Sequence, residues 1–180
     1  MKTVHVAAAV MIRGDRVYAT QRGYGEFKDK WEFPGGKAEA GETPEKALVR
    51  EIKEELAAQI SVGKRLTTVE YDYPEFHLVM DCYLCSVDPS TLKLLEHENA
   101  EWLTWRDFNK MDWMEADKKV VEAVKAFFKE AERKSCNLNE RTQIPGWCRQ
   151  RSMKSKKEHP SKQGFCLEGC SFFNKKFPPR

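Results

Sequence analysis

Apolar and polar positions alternate over much of the chain and change to helical spacing in two places. Thr3–Ile12 is rich in Val and Ala, Arg13-Gly14-Asp15 supplies a turn, and Arg16–Gln21 (RVYATQ) reads as the returning strand of a hairpin. Gly23–Lys30 is a polar loop. Trp31–Gly36 (WEFPGG) is a short extended piece ending in a glycine turn. The spacing predicts a helix over Pro44–Leu56. Thr43 is a good N-cap, Pro44 falls at the first helical position, and Ala47, Leu48, Ile52 and Leu56 recur at helical intervals. Arg65–Tyr73 and Phe76–Val87 alternate, predicting two antiparallel strands that turn at Tyr73-Pro74-Glu75. Glu101–Trp105 predicts a further short strand. A last helix is predicted from Glu115 to Arg133, with Val120, Val121, Val124, Phe127 and Phe128 as its inner face.

After Ser135 no periodicity is sustained, and Asn, Gln, Lys, Ser, Gly and Pro dominate. The chain therefore divides into a mixed α/β domain at residues 1–133 and an extension at 134–180 that is expected to be largely disordered. Charge follows the same division. Of 31 Lys+Arg and 28 Asp+Glu, residues 133–180 hold 12 and 3, leaving 19 and 25 for an acidic body. A basic tail of this kind is either a solvated appendage or a weak binder of nucleic acid or an acidic partner.

Six cysteines are present. Cys82 and Cys85 fall in the predicted strand FHLVMDCYLCSV, where residues three apart point to opposite faces, so this CxxC is a poor metal site. Cys136, Cys148, Cys166 and Cys170 could join His159 around zinc, but the spacing matches no standard pattern, and free thiols or adventitious disulfides are the simpler reading. No apolar run reaches the roughly 18 residues of a membrane span. Charged Arg13, Asp15 and Arg16 follow the first apolar stretch at once, so it reads as a strand rather than a signal peptide. A cytoplasmic monomer or homodimer is expected.

The informative stretch is GGKAEAGETPEKALVREIKEELAA, Gly35–Ala58. Glu51, Glu54 and Glu55 stand three and four apart on the predicted helix, so their carboxylates share one face. Like charges that close repel unless a cation lies between them. Carboxylate oxygens suit Mg²⁺ or Mn²⁺, which also bind substrate phosphates. The alternative is a solvated acidic stripe paired with Lys46, Arg50 and Lys53. The longer spacing decides between them.

This stretch resembles the Nudix box: a glycine, five residues, a glutamate, seven residues, then Arg-Glu-aliphatic-any-Glu-Glu-any-Gly-aliphatic. Gly36, Glu42, Arg50, Glu51, Ile52, Glu54 and Glu55 all fall in place. Two positions depart from it: Ala57 stands where the family has glycine, and Ala58 is a small version of the aliphatic residue. The resemblance implies an α/β (α+β) fold, the Nudix α/β/α sandwich around a mixed β-sheet. It also implies roles. Glu51, Glu54 and Glu55 would be metal ligands, with a carbonyl from the Gly35–Gly36 turn. Glu51 or a later glutamate would deprotonate or orient water. Arg50 would pair with Glu42 and hold the ligands in register.

Similarity runs over nearly all of residues 1–132 and is closest to the MutT and CTP pyrophosphohydrolase branch. It is carried by Gln21–Gly23 (QRG), Trp31–Lys37 (WEFPGGK), His97–Asn99 (HEN) and Glu115–Val121 (EADKKVV). By that resemblance Arg22 would contact phosphate, Gly35 and Lys37 would lie against the substrate, and Glu98 would bind metal or act as base. Asp117 would read the base edge. Each has a plain alternative: a surface charge at Arg22, a loop acid at Glu98, helix N-terminal stabilisation at Asp117. A carboxylate accepts from an exocyclic amino group. The branch's 8-oxo-guanine specialist carries Asn at this position, so Asp117 points to a cytosine-type or broader substrate. Trp31, Phe33 and Tyr73 are aromatic enough to stack on a base or to serve the core. The implied enzyme converts a (d)NTP, modified or oxidised, to the monophosphate and pyrophosphate. Two other readings stand beside it: an ADP-ribose pyrophosphatase, for which Pro74 is suggestive although Tyr-Pro-Glu also makes a plain turn, and a Nudix module that binds nucleotide or nucleic acid without hydrolysis.

Overall fold

Ala7, Ala8, Ala9, Val10 and Met11 are all fully buried, although successive strand residues point to opposite faces. A strand reads this way only when both faces of its sheet are covered. A computed structural model of the chain describes residues 1–141, with side chains as far as Lys134. It places this run at the centre of β1 (Lys2–Arg13), followed by β2 (Arg16–Gln21), β3 (Trp31–Glu32), β4 (Gly35–Lys37), α1 (Pro44–Leu56), β5 (Ile60–Asp72), β6 (Phe76–Val87), β7 (Asn99–Thr104) and α2 (Glu115–Arg141). Single 3₁₀ turns occupy Pro89–Thr91 and Phe108–Lys110.

The strands follow the order β3-β2-β1-β6-β5, with β4 also paired to β1 and β7 to β2. β1 runs parallel to β6 from Lys2↔Phe76 to Met11↔Cys85. Its other edge pairs antiparallel, first with β4 and then with β2. The sheet is thus mixed. On one face Ala7, Ala9 and Met11 pack with Leu48, Ile52 and Leu56 of α1. On the other, Ala8 and Val10 join Val120, Val121, Val124 and Phe128 of α2. The expected α/β/α sandwich is the observed one. Cys82 and Cys85 fall in these two opposite clusters, as strand alternation requires, and burial pushes the Cys85 thiol up to about 12.

The Thr43 hydroxyl accepts from the Lys46 N–H (3.4 Å), and α1 ends at Ala57 in the left-handed region (φ 50°, ψ 23°). Its last carbonyls find partners outside the helix: Lys93 N–H donates to Leu56 O (2.8 Å) and Leu95 N–H to Glu55 O (2.9 Å). The loop between β6 and β7 is thereby tied to the end of α1.

Three elements differ from the pattern. β5 begins at Ile60 rather than Arg65, with register shifts on either side of Arg65. The piece Trp31–Gly36 divides into β3 and β4, because Pro34 has no N–H to continue a ladder. α2 continues past Arg133 to Arg141, through a stretch without Gly or Pro. Expectations for the basic extension, its zinc site and its cysteines concern side chains outside the described ones. Among the described residues no helix is long and apolar enough to cross a membrane.

Candidate active site

Arg50 organises the exposed face of α1. Its Nη2 donates to Glu42 Oε2 (3.0 Å) and to the Lys37 carbonyl (3.0 Å), Nε donates to Glu42 Oε1 (3.3 Å), and Nη1 donates to Glu51 Oε1 (2.9 Å) and Glu54 Oε2 (3.2 Å). The guanidinium, and next to it the Glu39 N–H, hold the Glu42 carboxyl below its ordinary value. One side chain thus ties the β4 turn, the loop ahead of α1 and two helical glutamates together. A point-charge ammonium, with three donors, could not serve these five acceptor oxygens.

The three glutamates are not equivalent. The Glu54 side chain is 56% exposed and that of Glu51 18%. Glu55 lies deepest: its Oε2 accepts from the Gly35 N–H (3.2 Å). Burial, chiefly, pushes its carboxyl up to about 7. His97 opposes that shift, while Glu32 and Glu51 add to it. Both glycines of the turn are spatial requirements. A Cβ on Gly36 would overlap the Glu51 carboxyl, and one on Gly35 (φ 146°) would overlap the Ala7 carbonyl of β1.

Glu55 opens into a small polar cavity lined by Arg22, Tyr24, Glu32, Glu96 and His97. Glu96 and His97 arrive there because the loop they belong to is bound to the end of α1. Glu98, the loop acid expected in this place, is exposed; it packs against Gly23, and its N–H donates to Gln21 O (3.0 Å). Glu32, Glu96 and His97 were not singled out from sequence. The words WEFPGGK and HEN, which contain Glu32 and His97, were the signal available for two of them.

Beyond Arg22 and Glu32 lies a larger cleft of about 260 Å³, lined by Phe33, Gly35, Gly36 and Lys37 on one side and by Tyr73, Met114 and Asp117 on another. Asp117 is buried, and its Oδ1 accepts from the Phe33 N–H (2.9 Å). Burial, first of all, pushes its carboxyl up to about 8. Phe33 is a cleft wall and a core residue at once, stacked on Trp113 at 5.0 Å. The buried Tyr73 hydroxyl has no hydrogen-bond partner among the described residues. Trp31, expected at the substrate, belongs to the core and lines neither cavity: its backbone bridges to Trp113, which turns the ring inward.

The donor set fits a hard divalent cation. Glu51, Glu54 and Glu55 offer only oxygen, and Gly36, lacking a Cβ, lets the Glu51 carboxyl lie directly against the turn. Among the described residues no three acidic, His or Cys groups form a ready-made metal site. Mg²⁺ needs none, since it keeps several waters and shares its remaining positions with phosphate.

A sandwich whose first helix carries clustered glutamates, clamped by an arginine beneath a glycine turn, defines a Nudix hydrolase. Residues 2–124 match the NUDIX domain, and the chain belongs to that family. An 8-oxo-dGTP diphosphatase of Proteus vulgaris is 39% identical over 85 residues, 46% of this chain and 76% of that protein. A CTP pyrophosphohydrolase of Escherichia coli (strain K12) is 28% identical over 127 residues, 70% of this chain and 94% of that one. The solution structure of the E. coli ORF135 protein superimposes with a TM-score of 0.62 at 29% identity, covering 70% of this chain and 91% of that one.

Proposed function

We propose that this protein is a metal-dependent pyrophosphohydrolase that converts a nucleoside triphosphate, cytosine- or 8-oxo-guanine-type, to the monophosphate and pyrophosphate. The observation that carries the reading is the placement of Asp117. It lies in a cleft wide enough for a base, and that cleft shares Arg22 and Glu32 with the smaller cavity that contains Glu55 of α1. The names of the relatives support the same substrate class.

The residues divide the work. Phe33, Tyr73 and Asp117 hold the base, while Arg22 and Lys37 face the polyphosphate. Water attacks one phosphorus of the α–β bridge; its oxygen forms the new P–O bond, its proton passes to a carboxylate, and the bridging bond breaks to release pyrophosphate. Glu51, fixed by Arg50, is that carboxylate, and Arg50 and Glu42 keep it in place. Glu51, Glu54, Glu55 and the Gly36 carbonyl would hold Mg²⁺ or Mn²⁺, which would supply charge neutralisation along the polyphosphate. Glu96 takes the supporting part that the sequence suggested for Glu98, because it lines the same small cavity as Glu55.

Asp117 also bears on the base. With its pKa near 8 the carboxyl is mostly protonated at neutral pH. While Oδ1 accepts from Phe33, a protonated Oδ2 can donate as well as accept. A neutral acid therefore reads a base edge as Asn would, and an 8-oxo-purine is as compatible as a cytosine. Pro74 is accounted for by the β5–β6 turn, where Tyr73 N–H donates to Phe76 O (2.9 Å), so it carries no weight for ADP-ribose. The basic extension is a candidate weak site for nucleic acid, and the enzyme a candidate cytoplasmic monomer or homodimer.

A panel with Mg²⁺ tests this: dCTP, 5-methyl-dCTP, dGTP, 8-oxo-dGTP and ADP-ribose, with products separated. Monophosphate plus pyrophosphate from one triphosphate is the expected result. Turnover of ADP-ribose alone, or folded protein silent on the whole panel, overturns it.

A further inference from the structure

Three strands lying side by side, in the order β3-β2-β7, bring the side chains of Arg22, Glu32 and His97 to one end of the sheet. Gln21 pairs with Trp31 on one side and Asn99 on the other. Arg22 follows Gln21, Glu32 follows Trp31, and His97 lies two residues ahead of β7. Glu32 is held from both directions. Arg22 Nη1 donates to its Oε2 (2.8 Å), and His97 Nε2 donates to its Oε1 (3.0 Å). An ionised carboxylate only accepts, which fixes the proton on Nε2.

His97 is unusual for a loop residue. Its side chain is only 6% exposed, yet its Nδ1 has no hydrogen-bond partner among the described residues. The Nε of Arg22 is likewise buried without one. Both side chains line the cavity that contains Glu55, and Arg22 and Glu32 also line the larger cleft. Arg22 therefore stands on the boundary between the two spaces, where a polyphosphate passing from base to glutamates must cross. One nitrogen of His97 is committed to Glu32, and the other is buried without a partner among the described residues.

We infer that His97 is a positioning residue: through Glu32 it fixes the guanidinium plane of Arg22, so that Arg22 meets a phosphate oxygen instead of rotating toward solvent. The inference rests on the triphosphate reading above, for which Arg22 is a phosphate contact. It assigns a task to Glu32 as well, that of the rigid link between the two bases.

The test is kinetic and spectroscopic, on the full chain. His97→Leu removes the link; His97→Gln replaces it, since the Gln amide nitrogen reaches where Nε2 stands, and His97→Asn does not. With the best triphosphate of the panel, His97→Leu is expected to raise KM about ten-fold while kcat changes by less than about three-fold, and His97→Gln to recover most of the loss. In an Arg22→Ala background the same change is expected to add less than about two-fold. The ¹⁵N–¹H resonance of Arg22 Nε, assigned by its absence from Arg22→Ala, is expected to be protected from solvent exchange in the wild type and in His97→Gln and to lose that protection in His97→Asn. A fall in kcat at constant KM, an undiminished cost without Arg22, or an Nε–H indifferent to position 97 overturns the inference. The resonance needs no nucleotide. An enzyme silent toward triphosphates thus refutes the proposed function while the link between His97 and Arg22 is still decided. If His97→Leu does not fold, the Gln and Asn variants carry the comparison.

Discussion

Gly36 and Glu51 share one space: a Cβ on residue 36 would overlap the Glu51 carboxyl group. Turn and helix can approach this closely only because residue 36 has no side chain. Gly36→Ala is expected to displace Glu51, a flexible side chain that can yield, and to lower kcat about 100-fold, the cost of roughly an ångström of misplacement. Melting should move by no more than about 3 °C. Gly35→Ala is the contrast. Its Cβ would strike the Ala7 carbonyl in the central strand, which cannot yield. Melting lowered by more than about 10 °C, or insoluble protein, is expected. Calorimetry beside steady-state kinetics separates the two; equal behaviour of both variants contradicts the account of the turn.

Glu51→Gln keeps an oxygen for Arg50 Nη1, so the clamp around Glu42 survives. The carboxylate charge and its basicity are lost. A fall in kcat of about 1,000-fold or more at unchanged melting temperature is expected. Near-wild-type turnover in a folded variant removes Glu51 from the chemistry.

Asp117 makes stability depend on pH. Its folded-state pKa of about 8 lies above the ordinary 3.8. Between those values the native chain retains a proton that the unfolded chain has given up, so stability is fully present below about 3.8 and is lost as pH rises through about 8. Asp117→Asn is neutral throughout and keeps an oxygen for the Phe33 N–H. Its melting temperature relative to wild type should rise by about 5 °C or more between pH 5 and pH 9. A constant difference across that range means the carboxyl is not held protonated.

Ala57 ends α1 in a left-handed conformation that a Cβ disfavours by about 1 kcal/mol. Ala57→Gly should therefore stabilise the domain by about that amount, a rise of roughly 3 °C, despite glycine's greater freedom in the unfolded chain. A lower melting temperature would show that the backbone strain is already relieved elsewhere.

The bounds of α1 and β6, and the start of α2 at Glu115, are legible in the sequence because each is punctuated locally. A Thr-Pro cap opens α1, a Tyr-Pro-Glu turn precedes β6, and valines recur at helical spacing in α2. The first part of β5 is not legible. As the outer strand beyond β6 it is exposed on several positions of both faces, so polar residues such as Ser61 and Lys64 interrupt any alternation. The glutamates on α1 were readable because four-residue spacing on a helix is a local fact. Glu32, Glu96 and His97 were not, because their meeting depends on β3 and β7 flanking β2, a long-range pairing that no window of sequence contains. Trp31 shows the same limit in reverse: an aromatic beside a glycine turn suits a base or a core equally, and its bridge to Trp113 decided for the core.

The parallel pairing of β1 with β6 has a consequence for how the enzyme comes into being. Lys2 meets Phe76, and every residue of α1 lies between them in the chain. Contacts so distant in sequence form late and slowly during folding. On the ribosome, a nascent chain that has already emitted its glutamate helix has no completed platform to lay it on until β6 emerges. The sheet that carries α1 is therefore completed only with the synthesis of the sixth strand, well after α1 itself has been made, and the residues of β7 and α2 that line the two cavities follow later still.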